Sequence, residues 1–170
     1  MRYIICELND RNFDPNVALP EIKDFRVRTA SRGVLVHDGK VALLNVTKKG
    51  YHKLPGGGIE AGETYEEAFK REVVEETGCQ CEIKDGNAVT VEYRGEQKLL
   101  QISYVFRAEV VGEPGQPVFD KGEIEEGFVL EWYPIAEVET VFGNDQQEAP
   151  EDKFIHMRDS EIFKFYKDNL

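Results

Sequence analysis

Three glutamates, Glu72, Glu75 and Glu76, stand three and four residues apart in a stretch of helix-favouring residues, so all three project from one side. Like charges at that spacing repel, and the negative end of the helix dipole lies close by. A divalent cation would relieve both problems, which makes the cluster a candidate metal site. Mg²⁺ suits it best, because this ion takes oxygen ligands, keeps some water and bridges carboxylates to phosphates. Mn²⁺ is the alternative. Turning the helix at about 100° per residue puts Tyr65, Ala68 and Phe69 in the same arc as the three acids, with Glu67, Lys70 and Val74 opposite. The acids therefore continue the face that docks on the protein.

The helix has its own start and stop signals. Thr64 followed by Glu67 fits a capping box, and Gly78 is placed to end the helix in a left-handed conformation. A glycine-rich loop from Pro55 to Glu63 leads into it. That loop lacks the terminal Gly-Lys-Ser/Thr of a Walker phosphate loop, and alternating acids of an EF-hand are absent. Upstream, residues 2–8 read as a strand and Asn9 to Asp24 as a loop. Arg26 to Val36 and Lys40 to Thr47 read as strands joined by the tight turn His37-Asp38-Gly39. Downstream, β runs are expected near 79–84, 87–94 and 98–111, then a loop from Gly112 to Gly122. A strand follows from Phe128 to Tyr133, a short helix opened by Pro134, a loop from Gly143 to Asp152, and a last helix from Lys153 to Asn169. The stripe Ile155, Ile162, Phe163 and Tyr166 docks that helix on the core.

A chain of 170 residues with 41% hydrophobic and 32% charged residues reads as one domain, 1–170, with a proper core. Residues 1–25 form an N-terminal extension of it, and 153–170 a helix packed on it. No apolar run approaches a transmembrane length, and Tyr3-Ile4-Ile5-Cys6 is too short for a signal core. Three cysteines make no disulfide framework, so reduced thiols in a cytoplasmic protein are expected. A net charge of −12 argues against polymeric nucleic acid or an anionic membrane as partner. A homodimer is compatible with all of this.

The spacing Gly57, Glu63, Arg71-Glu72-Val73, Glu75-Glu76, Gly78 resembles the signature of the Nudix (MutT-like) hydrolases at every fixed position. Cys79 is the single departure, standing where an aliphatic residue is usual, and a thiol serves there as a small hydrophobe. The motif covers 23 residues, and the flanking strand pattern extends a looser resemblance to roughly 26–140. The resemblance implies an α/β fold, a Nudix-type α/β/α sandwich with a mixed sheet. It implies metal ligands Glu72, Glu75, Glu76 and the Gly57 carbonyl. It also implies that a metal-activated water attacks a phosphorus of a diphosphate linkage. Glu63 and Arg71 would pair to fix loop against helix and orient the carboxylates. The general base varies within the family, coming from a box glutamate such as Glu76 or from a later acidic loop. In that loop, Glu123-Ile124-Glu125-Glu126, the choice falls on Glu126.

Arg28 and Arg32, four apart on a strand, share a face and are candidate phosphate contacts, as is Lys53 beside the loop. Tyr93 or Phe106 could stack on a base. A proline about fifteen residues past the box, frequent in ADP-ribose-type members, is missing. The extended motifs of NADH- and coenzyme A-directed members are missing too. The expected substrate is therefore a small nucleotide, a nucleoside triphosphate cleaved to monophosphate and pyrophosphate. A dinucleoside polyphosphate or nucleotide sugar is the alternative, and a non-catalytic nucleotide sensor is the rival from another class.

Overall fold

The computed structural model describes residues 2–170. Eight strands form one mixed sheet: β1 (Tyr3–Asn9), β2 (Arg26–His37), β3 (Lys40–Val46), β4 (Tyr51–Lys53), β5 (Gly56–Gly58), β6 (Gln80–Arg94), β7 (Leu99–Val111) and β8 (Phe128–Pro134). The main order is β1-β6-β7-β2-β3-β4, with β5 on β2 and β8 on β3. β1 runs parallel to β6 and β2 parallel to β7, and the other pairs are antiparallel.

Adjacent residues of the central strands point to opposite faces, and each face has its own core. Val34, Val41, Leu43 and Val105 pack with Val138, Phe142, Ile162, Phe163 and Tyr166. These last five lie on α3 (Val138–Asn144) and α4 (Pro150–Tyr166). Their neighbours in sequence, Leu35, Ala42 and Phe106, pack on the other face with Phe69 and Val73 of α1 (Tyr65–Thr77). Helices therefore cover both faces of a mixed sheet, an α/β/α sandwich. Phe106 is 1% exposed and stacks on Phe69 with ring centroids 5.0 Å apart, so it is a core residue and not a base platform.

The local signals on α1 act as expected. Thr64 accepts from the Glu67 N–H, Glu67 reaches back to the Thr64 N–H, and Gly78 ends the helix at φ 70°. Asp38 and Gly39 both take positive φ, as a two-residue hairpin turn requires. Other boundaries differ. The two β runs expected at 79–84 and 87–94 are one strand, β6, interrupted by register shifts between Ile83 and Ala88 that absorb the Asp85-Gly86-Asn87 turn residues. The acidic segment read as loop is a short helix, α2 (Lys121–Glu126), with an Asp120/Glu123 capping box and Gly127 at φ 75°. α4 begins at Pro150, because proline is at home in a first turn. Among the described residues no helix is long and apolar enough to cross a membrane.

Candidate active site

The glycine loop places the site. Gly56, Gly57 and Gly58 pair with Arg32, Ser31 and Ala30 of β2, bringing α1 against the sheet. A Cβ on Gly57 would stand 2.4 Å from Glu72 Oε1, so only glycine lets that carboxylate lie against the loop. The Gly56 N–H donates to Glu76 Oε2 at 2.6 Å, and Lys53 Nζ donates to Glu76 Oε1 at 2.9 Å. Lys53 also sits 4.8 Å above the Phe128 ring.

Arg71 ties loop to helix. It grips Glu63 with two parallel bonds, Nε to Oε1 at 2.7 Å and Nη2 to Oε2 at 3.1 Å. Nη2 also reaches the Gly58 carbonyl at 2.9 Å, and Nη1 donates to Glu72 and Glu75 at 2.9 and 3.1 Å. The fork geometry fixes orientation as well as adding energy. The Glu63 carboxyl is held below its usual range by Arg71 and by the Glu60 N–H.

The three acids are not equivalent. Glu76 is 1% exposed, and burial pushes its carboxyl up to about 7 against the pull of Lys53 and the Gly56 N–H. Burial also raises Glu72, with Arg71 opposing. Glu75 instead stands at the rim, its side chain 48% exposed. The docking arc thus holds for Glu72 and Glu76 and ends before Glu75. Among the described residues, no three His, Cys, Asp or Glu side chains converge around a point where a cation would sit. The donors nonetheless suit a hard divalent ion, for two buried carboxylates face one cavity beside a glycine that leaves them room.

That cavity, about 750 Å³, is of the size that small-molecule sites occupy. It gathers the expected metal, phosphate and base candidates Arg28, Arg32, Lys53, Gly57, Arg71, Glu72, Glu75, Glu76 and Glu126, while Glu63 and the stacking candidates stay outside its lining. Glu126 closes α2 and is paired with Lys49 at 2.9 Å. Tyr93 does not line the cavity.

The cavity also has a basic lining, and sequence reading missed most of it. Arg94, Gln101 and Arg158 join Arg28 and Arg32 there. Glu92, fully buried, accepts from Arg94 at 2.6 Å, Gln101 at 2.9 Å and Arg158 at 3.1 Å. Asp159 accepts from Arg158 Nε at 2.7 Å and from the Leu54 N–H at 2.8 Å, linking α4 to the loop that carries Lys53. The available signal was on α4, where Arg158 and Asp159 interrupt the apolar stripe between Ile155 and Ile162.

Residues 27–156 match the family described as NUDIX domain, about three-quarters of the chain. The chain belongs to the Nudix family. It is 35% identical over 99 residues to an ADP-ribose pyrophosphatase of Methanocaldococcus jannaschii, covering 54% of this chain and 59% of that protein. It is 36% identical over 90 residues to an oxidized purine nucleoside triphosphate hydrolase of Danio rerio, covering 49% of this chain and 56% of that one. The chain thus spans little more than half the length of these relatives. A NUDIX hydrolase from Nitrosomonas europaea shares the fold, with a TM-score of 0.61 at 22% identity over 85% of this chain and 96% of that one.

Proposed function

We propose that the chain is a Nudix hydrolase that cleaves a diphosphate linkage in a small nucleotide with the help of Mg²⁺. The observation that carries this is the pair Glu72 and Glu76, two buried carboxylates on one helix facing a cavity that arginines also line. Glu72, Glu76, the rim carboxylate Glu75 and the Gly57 carbonyl would hold the ion. When bound, it would supply Lewis-acid polarisation and an acidified water.

The chain's own residues do the rest. Glu63 and Arg71 hold the loop and helix in one geometry, so that Glu72 and Glu76 keep their orientation. Lys53, bonded to Glu76 and facing the cavity, offers a positive charge to a phosphate oxygen. Glu126, which lines the cavity and pairs with Lys49, would accept a proton from the attacking water. Arg28 and Arg32 draw the anionic substrate in against the overall charge of −12.

The relatives' names point to two kinds of substrate, a diphosphate-linked sugar nucleotide and a nucleoside triphosphate. A nucleoside triphosphate cut to monophosphate and pyrophosphate is the first to test. The experiment is a panel of both kinds with Mg²⁺, with phosphate and pyrophosphate release measured beside Glu76→Gln. Turnover that falls sharply in the variant supports the hydrolase. No turnover on any member, with nucleotide binding intact in both proteins, makes the chain a sensor.

A further inference from the structure

α2 brings Glu123 and Glu126 to the cavity without burying a side chain of its own. Ile124, its one large apolar residue, is exposed. Hydrophobic burial therefore does not fix where this short helix stands, and polar contacts must. They come from the turn between β3 and β4. Thr47 donates to the Gly127 carbonyl twice, through Oγ1 at 2.7 Å and through its N–H at 3.3 Å. The Lys48 N–H donates to the Glu126 carbonyl at 3.3 Å, and Lys48 Nζ to the Glu125 carbonyl at 2.6 Å. These bonds satisfy carbonyls that a helix leaves open at its C-terminus, where a cation is also favoured. They fix the backbone of α2 and leave its side chains to turn.

The next residue of the same turn reaches a side chain. Lys49 Nζ pairs with Glu126 Oε1 at 2.9 Å and with Asp152 Oδ1 at 3.4 Å. The two carboxylates differ in freedom. The Glu126 side chain is 40% exposed, whereas that of Asp152, in the first turn of α4, is 4% exposed. Burial and the Asp152 charge push the Tyr51 hydroxyl far above its usual range, so Tyr51 keeps its proton and donates a hydrogen bond to Asp152. Burial would lower the Lys49 ammonium, but Glu126 and Asp152 outweigh it and hold the group above its ordinary value. Lys49 is thus a charged link from an anchored acid on α4 to an exposed acid on α2. A half-exposed ion pair adds little stability, so what this one supplies is direction. Lys49 itself does not line the cavity and does not meet the substrate.

We propose that Lys49 is a positioning residue for the cleavage: it holds Glu126 by one oxygen and so keeps the other ready to take the proton of the attacking water. The proposal rests on the reading of Glu126 as the base. A carboxylate pinned through Oε1 loses the rotamers that swing it away from the cavity, while its second oxygen keeps lone pairs to accept with. Because Lys49 acts on that carboxylate and not on the substrate, its loss should slow the chemical step and leave substrate binding alone.

Steady-state kinetics with Mg²⁺ on the best panel substrate test this with Lys49→Met, Glu126→Gln and the double variant. Lys49→Met should lower kcat about 10–100-fold, part of what a base contributes, with KM changed by less than about twofold. Lys49→Arg, which keeps the charge, should recover part of the loss. The double variant should be no slower than Glu126→Gln, because both changes remove one function. Should Lys49→Met strand the Asp152 carboxylate and fail to fold, Lys49→Met combined with Asp152→Asn repeats the measurements. A slow Glu126→Gln beside a Lys49→Met whose melting temperature falls while kcat stays at the wild-type value makes Lys49 structural and overturns the proposal alone. Losses that multiply in the double variant overturn it as well. A Glu126→Gln as fast as the wild type, or a panel with no turnover, overturns the reading of Glu126 as the base and the proposal with it.

Discussion

At one wall of the cavity Glu72 and Glu76 are buried and their carboxyls are pushed above the usual range, because desolvation outweighs what Arg71 and Lys53 supply. Behind the arginines of a second wall Glu92 and Asp159 are buried at least as deeply, yet their carboxyls are held below that range, since Arg158 and its neighbours outweigh the desolvation. The same chemical group, buried in both places, has opposite electrostatics. The difference is the number of cations in reach. The first wall keeps carboxylates whose desolvation is not fully offset. The second has its carboxylates satisfied and is part of what holds α4 to the sheet.

The largest expected effect separates the walls by activity. Glu76→Gln should lower kcat/KM on the best panel substrate by about 10³-fold, roughly 4 kcal/mol of transition-state stabilisation. Its melting temperature in chelator, at pH 8, should stay level or rise, since a destabilised charge is gone. A large drop in melting temperature instead would place Glu76 among the structural acids and erase the contrast. Next, Arg158→Met should cost about 3 kcal/mol of stability in denaturant unfolding, because it strands buried Asp159 without its cation and leaves Glu92 with Arg94 alone. A loss below 1 kcal/mol would show that the basic wall is not structural.

Smaller is the effect of Glu63→Gln, which loosens Arg71 without touching the cavity. Activity should fall 10–100-fold, the usual range for a group that orients ligands from behind, with added Mg²⁺ recovering part of it. Recovery of nothing would mean that Glu63 acts on more than cation affinity. The smallest effect lies next door to Lys53. Burial would lower the His52 imidazole, but hydrogen bonds and charge from Asp145 and Glu131 outweigh it and raise the group above its ordinary value. Such a shift stabilises the fold fully below the unfolded value near 6.5 and is lost as pH rises through the folded one. His52→Gln should therefore flatten the decline of melting temperature from about pH 6 to pH 8. An unchanged slope would assign that decline to another group.

The first wall was legible in sequence and the second was not, for a physical reason. Glu63, Arg71, Glu72 and Glu76 lie within one loop and one helix, where spacing converts directly to direction. The network at the second wall joins Glu92 and Arg94 on β6, Gln101 on β7 and Arg158 on α4, 66 residues from Glu92. No local period links such positions, so only the strand pairing that builds the sheet brings them together. Arg28 and Arg32 were found because four residues along one strand share a face. α2 was missed although Asp120, Glu123 and Gly127 repeat the stop and start signals read correctly around α1. A helix of six residues has too few turns to show an apolar period, and the caps went unread without it.

The three-glycine strand β5 bears on how such a protein can diverge. A Cβ at Gly56 would meet the Ser31 carbonyl at 2.3 Å and the Arg32 Cα at 2.4 Å, and one at Gly57 would meet Glu72. Single substitutions there damage the scaffold before they can retune the chemistry, so this loop offers descendants almost no room for experiment. Novelty has to enter from side chains that ring the cavity elsewhere, at positions such as 28, 101 and 118–128. Change at those sites reshapes the cavity while leaving the glycine strand and its carboxylates intact.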